Sequence, residues 1–230
     1  MIEKVFTFWE GEKPAYIDLC MSTWKFPYVV LTYDNINEYT DISVDDKLKR
    51  FPLPMIADVV RAHVLRDQGG YWLDTDTVMI SDELPTDNIK GYPVTRDHTW
   101  GYLYAEQPNM DFYDGWARYQ DHIIEDFTGF PEWSLLSKDF TDPYIKSETN
   151  LRISPIDTSW PETYMIVDDI PRYEKYRQLY FGTSYQLSDL RKTDMLMLHN
   201  SWTPEWYKKL SKREALQQTC TLSNILRDLL

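Results

Sequence analysis

Cysteine is scarce. Only Cys20 and Cys220 occur, and no Cys-x-x-Cys pair. Neither a thiolate zinc site nor a disulfide framework is indicated, and both residues read as free thiols. Basic excess is lacking too. The formal net charge is −13 and the sequence pI about 4.7, which argues against nucleic acid or an anionic membrane as the main partner. No apolar run is long enough to cross a bilayer. Met1-Ile2-Glu3-Lys4 does not open a signal peptide, so the cytoplasm is the expected compartment. Internal repeats, low-complexity tracts and domain linkers are missing as well. One domain of 230 residues is expected.

What is present is a globular chain, 43% hydrophobic and 15% aromatic, with 17 Tyr and 9 Trp. Amphipathic rings suit sugar faces and wet clefts, though they also fill ordinary cores. Val5–Trp9 reads as a strand, Ala15–Trp24 as a helix opened by Pro14, and Tyr28–Thr32 as a second strand. Residues 34–53 are polar and irregular. Pro54–Gln68 is a helix, with Ile56, Val60 and Val64 as its apolar stripe and Asp58, Arg61 and Leu65 on roughly the opposite face. Gly69-Gly70 breaks the chain before the short apolar run Tyr71–Leu73. Further strands are expected at Thr77–Ile80, Tyr92–Thr95, Trp100–Ala105, Leu151–Ile156, Tyr164–Val167 and Met195–Leu198. Met110–Glu125 has helical spacing, residues 126–162 form a variable lobe, and one or two helices fill Pro204–Leu230. Alternating strands and helices give an α/β fold.

Asp74-Thr75-Asp76 carries the most information. It lies at the exit of an apolar strand, where ligands bind in parallel-type sheets. If the extended geometry persists, residues i and i+2 point both carboxylates into one pocket. Paired hard oxygen donors suit Mg²⁺ or Mn²⁺, ions that bridge proteins to substrate phosphates. Two aspartates near a turn can equally be plain turn residues. Asp58 and Arg61, three apart, are either a surface ion pair or groups reaching into a cleft. His199, after the run Met195–Leu198, could complete a carboxylate metal site or be a structural histidine. His63, His98 and His122 have no such context. Asp168-Asp169 repeats the strand-then-acid pattern, and a turn before Pro171 is the favoured reading.

With these residues in view, the chain resembles sugar-nucleotide glycosyltransferases of the capsular-polysaccharide and initiating α-mannosyltransferase type, a group related to the glucosylating domain of large clostridial toxins. The resemblance rests on Ala57-Asp58-Val59-Val60-Arg61 followed by Gly69-Gly70-Tyr71-Trp72-Leu73-Asp74-Thr75-Asp76. Phe6-Thr7-Phe8-Trp9-Glu10-Gly11 resembles the first strand of that group. Its Trp stacks on the nucleotide base, although two glycines commonly follow where Glu10-Gly11-Glu12 stands here. His199-Asn200-Ser201-Trp202 resembles the C-terminal Ser-Trp element that closes over the diphosphate.

The resemblance implies a glycosyltransferase A (GT-A) fold, with a Rossmann-like nucleotide-binding sheet in about residues 1–96, an acceptor lobe and closing segment in 97–203, and helices in 204–230. It implies a retaining, Mn²⁺- or Mg²⁺-dependent enzyme. The sugar would move from a UDP-sugar, or another nucleoside diphosphate sugar, to a glycan or lipid-linked acceptor in capsule synthesis. Localisation would be cytoplasmic, with peripheral association at the inner face of the membrane through the acceptor. Asp58, Arg61, Asp74 and Asp76 would be catalytic. Trp9, Asp58, Arg61, Trp72, Asp74, Ser201 and Trp202 would bind the nucleotide sugar. Asp74, Asp76 and His199 would face the metal, with Asp76 the direct ligand of the pair. His199–Trp202 is expected to be a mobile clasp that orders over the diphosphate.

Two other readings compete. Leu73-Asp74-Thr75-Asp76-Thr77-Val78 fits the first motif of haloacid-dehalogenase-like phosphatases, with Asp74 as nucleophile and Asp168-Asp169 imitating the late acidic pair. That motif normally sits on the first strand, whereas here a strand–helix–strand unit precedes it. A non-catalytic glycan-binding protein that kept the fold is the other.

Overall fold

The computed structural model describes residues 4–84, 94–96, 99–147, 152–154, 172–189 and 194–230. They form two compact units through which the chain passes alternately. The first comprises Met1–Glu10, Pro27–Leu73 and Thr86–Ser154; the second comprises Gly11–Phe26, Asp74–Pro85 and Pro155–Leu230.

The first unit is built on a six-stranded sheet. Its strands are β1 (Val5–Phe8), β2 (Tyr28–Leu31), β3 (Gly70–Leu73), β5 (Val94–Arg96), β6 (Thr99–Ala105) and β7 (Arg152–Ser154), in the order β2-β1-β3-β6-β5-β7. β1 is parallel to β2 and β3, but β3 is antiparallel to β6. The sheet is therefore mixed, where a parallel-type sheet was expected. The central position of β1 explains why Val-Phe-Thr-Phe is buried at every residue.

Helix α3 (Leu53–Gln68) packs over this sheet and against α4 (Asp111–Asp126). Pro52 and Pro54 set its first turn, and Gly69 ends it, at φ +65 with its N–H bonded to Leu65 C=O at 3.0 Å. The one-sided stripe read from the sequence is incomplete. Asp58, Arg61, His63 and Leu65 are buried along with Ile56, Val60 and Val64. The helix has α4 on one side and the sheet on another, so it is apolar or internally paired almost all round.

Within residues 34–53 lie a short 3₁₀ turn (Ile36–Glu38) and α2 (Asp46–Lys49), capped by the Asp45 carboxylate on the Lys47 and Leu48 N–H groups. The variable lobe contains an unanticipated helix, α5 (Lys138–Lys146), despite Pro143 inside it.

The second unit holds α1 (Ala15–Ser22), β4 (Thr77–Met79), α6 (Arg172–Arg177) running into a π-turn (Gln178–Gly182), β8 (Met195–Met197), α7 (Glu205–Lys208), α8 (Lys212–Gln217) and α9 (Thr221–Leu229). β4 and β8 pair antiparallel, Thr77 opposite Met197 and Met79 opposite Met195. α1 fixes this hairpin-like pair from the side. Trp24 Nε1 donates to Thr77 C=O at 2.8 Å, and Met79 N–H donates to Thr23 Oγ1 at 2.8 Å. Ser211 and Glu214 form a capping box that starts α8. The C-terminal segment thus carries three helices. Tyr164–Val167, Asp168-Asp169 and His98 lie outside the described residues. Among the described residues, no helix is long and apolar enough to cross a membrane.

Candidate active site

The acidic motif is a turn, not a strand. β3 stops at Leu73, and Thr77 N–H donates back to Asp74 C=O at 3.0 Å, which closes a four-residue β-turn over Asp74–Thr77. The period-2 argument for a shared strand face therefore fails. Turn backbone, not extended backbone, carries both carboxylates. The chain leaves the turn directly into β4, and Leu198 N–H bonds Asp76 C=O at 3.2 Å, extending the β4–β8 pairing by one step.

The Asp76 carboxylate is held from the other strand. Its Oδ2 accepts the Asn200 backbone N–H at 2.7 Å. A short bond of an amide to an ionised oxygen is about twice as strong as a neutral one. Asn200 belongs to a tight turn after β8, in which the N–H groups of Trp202 and Thr203 both reach His199 C=O, at 2.9 and 3.0 Å. Three buried hydroxyls lie under that turn. Tyr16 O–H donates to Asn200 Oδ1 at 2.6 Å; Tyr176 O–H lies 3.0 Å from Thr203 Oγ1; Thr203 Oγ1 donates to His199 C=O at 3.2 Å. Burial, with the Asp76 charge adding to it, pushes the Tyr16 phenol well above its usual 10. Burial does the same to Tyr176. Both phenols keep their protons at any working pH.

The His199 and Trp202 ring centres lie 4.1 Å apart at a tilt of 43°, and Tyr176 meets both rings edge-on. Burial lowers the His199 pKa to about 4, against the opposing pull of the Asp74 charge. The imidazole is neutral at pH 7. Arg177 Nε donates to Trp202 C=O at 2.8 Å. These bonds make His199–Trp202 a hydrogen-bonded turn. A hinge there would break several of them at once. Ser201 is exposed and Trp202 half-buried. Tyr16, Tyr176, Asn200 and Thr203 were not singled out from the sequence. A tyrosine on an apolar helix face looks like core, and nothing local marks its hydroxyl as a strut.

In the first unit, Asp58 and Arg61 are an ion pair at 3.5 Å, with side chains only 12% and 7% exposed. This is no surface pair. Arg61 also donates from Nε to Ala57 C=O at 3.2 Å, and its guanidinium lies 5.1 Å from the Trp72 ring centre. Trp72 itself is 1% exposed and part of the core. Trp9 is half-buried just past β1, and its backbone N–H bonds Leu31 C=O at 3.0 Å. Glu10, where the resembling group has glycine, accepts the Tyr33 N–H at 2.9 Å.

His63 has more context than its sequence suggested. Nδ1 faces Val59 C=O and Nε2 faces Asp121 Oδ1, each at 2.9 Å.

A divalent cation would need donors of the kind these residues carry. Asp74 and Asp76 offer hard oxygens and neutral His199 a nitrogen. Among the described residues, no three His, Cys, Asp or Glu side chains form a ready ligand group. A cation here would take its remaining ligands from phosphate and water, as Mg²⁺ usually does.

These features sit on a chain of known kinship. The family model described as capsular polysaccharide synthesis protein matches residues 1–126, and the chain belongs to that family. No curated protein is matched. Among solved structures, the chain is similar to the crystal structure of a glycosyltransferase involved in the glycosylation of the major capsid of PBCV-1. The TM-score is 0.39 at 10% identity, over 67% of this chain and 82% of that one. A likeness that remote assigns no residue and no substrate.

Proposed function

We propose that this capsular polysaccharide synthesis family member is a metal-dependent, retaining glycosyltransferase of GT-A fold. It moves a sugar from a nucleoside diphosphate sugar, a UDP-sugar first among the candidates, to a glycan or lipid-linked acceptor. The cytoplasm, at the inner face of the membrane, is its place of work. The observation that carries this reading is the Asp74–Asp76 turn, whose second carboxylate is clamped by the Asn200 N–H. A plain turn aspartate needs no second turn from far along the chain to orient it.

Asp74 and Asp76, with His199, would hold Mn²⁺ or Mg²⁺ against the diphosphate. Such an ion stabilises the negative charge that builds on the leaving diphosphate. Arg61 supplies a fixed cation, kept straight by Asp58 and Trp72. Asp58 serves the donor sugar hydroxyls and the positive charge that develops on its anomeric carbon. Ser201, exposed, and the Trp202 indole N–H are donors for phosphate oxygens. Trp9, just past the first strand, would stack on the base.

A panel of nucleotide sugars with Mn²⁺, scored for release of the nucleoside diphosphate, tests the reading. Release with at least one donor, abolished by EDTA and by Asp76→Asn, is expected. If no donor is turned over while p-nitrophenyl phosphate is hydrolysed through an aspartyl-phosphate, Asp74 is a phosphatase nucleophile and the proposal is wrong.

A further inference from the structure

We propose that Tyr16 is a positioning residue for Asp76 and acts through Asn200; this rests on the reading of Asp76 as a metal-facing carboxylate. The argument starts from torsions. The Asp χ2 angle is a soft, roughly two-fold rotor, so a carboxylate plane is set only by what it bonds. Here Oδ2 takes the Asn200 N–H at 2.7 Å, a short bond that contributes to where Oδ1 points. The Asn200 peptide must in turn be fixed. Its neighbours on the turn hold His199 C=O, and its own side chain is held by Tyr16 O–H at 2.6 Å.

Counting protons shows the contacts to be directional. Thr203 Oγ1 spends its one hydrogen on His199 C=O. Tyr176 O–H accepts the His199 N–H at 3.3 Å, so its own hydrogen goes to Thr203 Oγ1. The result is a closed ring: His199 N–H to Tyr176, Tyr176 to Thr203, Thr203 to His199 C=O. Rings of this kind polarise and strengthen each member. Tyr16 stands outside the ring. Its hydroxyl lies 2.6 Å from Asn200 Oδ1 and 3.4 Å from Thr203 Oγ1, so the far shorter contact to the amide oxygen takes its hydrogen. The ring braces the His199 end of the turn; Tyr16 braces Asn200, the residue that touches Asp76. Tyr16 is suited to this. It is fully buried on α1, its ring is packed edge-on against Tyr207 at 5.8 Å, and its reach is rigid.

The test is Mn²⁺ binding by the purified full chain, read by electron paramagnetic resonance with Mn²⁺ alone and with Mn²⁺ plus UDP. Thermal unfolding is read alongside. Tyr16→Phe keeps the ring and removes the hydroxyl. It should raise the Mn²⁺ half-saturation about three- to tenfold, the scale of one hydrogen bond. Asn200→Ala leaves the backbone N–H in place and should give the same rise. In the Asn200→Ala background, Tyr16→Phe should change the half-saturation no further, because its route to Asp76 is already cut. Equal Mn²⁺ affinity for wild type and both single variants overturns the proposal, and so do additive effects in the double variant. If Tyr16→Phe does not fold, Asn200→Ala alone decides by the same criterion. Absence of Mn²⁺ binding by wild type with UDP is a different result: it removes the metal site itself.

Discussion

Gly70→Ala should be among the most damaging single substitutions in the chain. Gly70 opens β3 at φ +88, and a Cβ there would lie 2.4 Å from the Lys4 carbonyl oxygen. Ordinary C···O contacts begin near about 3.3 Å. The obstacle is backbone, so it cannot swing aside as a side-chain tip would. The same Lys4 oxygen accepts the Tyr71 N–H at 2.8 Å, where β1 and β3 meet. Relief therefore means parting the two strands there. The left-handed torsion costs roughly 1–2 kcal/mol for an L-residue. The lost bond adds about 0.5–1.5 kcal/mol, and the forced shift in a packed sheet about 1–3 kcal/mol. The sum is roughly 2.5–6.5 kcal/mol, against a total stability of about 5–15 kcal/mol for an ordinary protein. Gly11→Ala is the control. Gly11 has nearly the same torsion, φ +81, but nothing within 4 Å of a Cβ, so it carries the torsional cost alone. Urea unfolding of the three proteins should lower the midpoint far more for Gly70→Ala at similar slope. Equal losses for the two variants would refute the close approach, and with it the reason for a glycine at that place.

Three further outcomes are expected. Arg61→Met should lower stability, since it removes the guanidinium that pairs with the mostly buried Asp58 carboxylate at 3.5 Å; a denaturant double-mutant cycle with Asp58→Asn should show a coupling of about 0.5–3 kcal/mol between the two. In metal-free protein the His199 pKa is about 4 folded and 6.5 as an ordinary histidine, so the unfolded chain binds more protons between those values. Stability from this residue is present above pH 6.5 and lost on acidification toward 4. Wild type should then lose on the order of 3 kcal/mol more than His199→Gln between pH 7 and pH 4 in unfolding experiments, and parallel curves would deny the burial effect. Trp9→Ala should weaken UDP binding by roughly 1–3 kcal/mol, the scale of base–aromatic stacking, measured by calorimetry with Mn²⁺; unchanged affinity in a folded variant would return Trp9 to the core.

Much of the framework was legible from local signals. β1, α1 and β2 announce themselves by an apolar run, Pro14 and the run Tyr28–Leu31. α3 was legible from its proline start and glycine stop, and β4 and β8 from short apolar runs. What escaped the sequence is burial and bonding settled only on folding. The polar residues of α3 looked solvent-facing because Asp58 finds Arg61, and His63 finds Asp121, only after folding. The Asp74–Asp76 carboxylates were read as strand-borne because one backbone bond, Thr77 to Asp74, decides for a turn and leaves no mark on residue type. α5 was hidden by Pro143, which by itself argues against a helix. Hydroxyl struts such as Tyr16 and Tyr176 were hidden among other aromatics, since residue pattern reports burial but not where an O–H goes.

The β4–β8 ladder also bears on how the protein can be cut. Likeness to the family ends at residue 126, yet the only ladder of Thr77–Met79 among the described residues is with Met195–Met197. A shortened chain stopping at 126 would keep β4 and α1 but lose the strand, the turn and the buried tyrosine that complete them. It would display an unpaired apolar edge, with Val78 and Met79 stripped of cover, which is the form in which strands associate with the wrong neighbour. The stretch that identifies the protein is thus shorter than the stretch that folds it. Chimeras and crystallisation fragments must carry the remote β-strand with the motif it clamps.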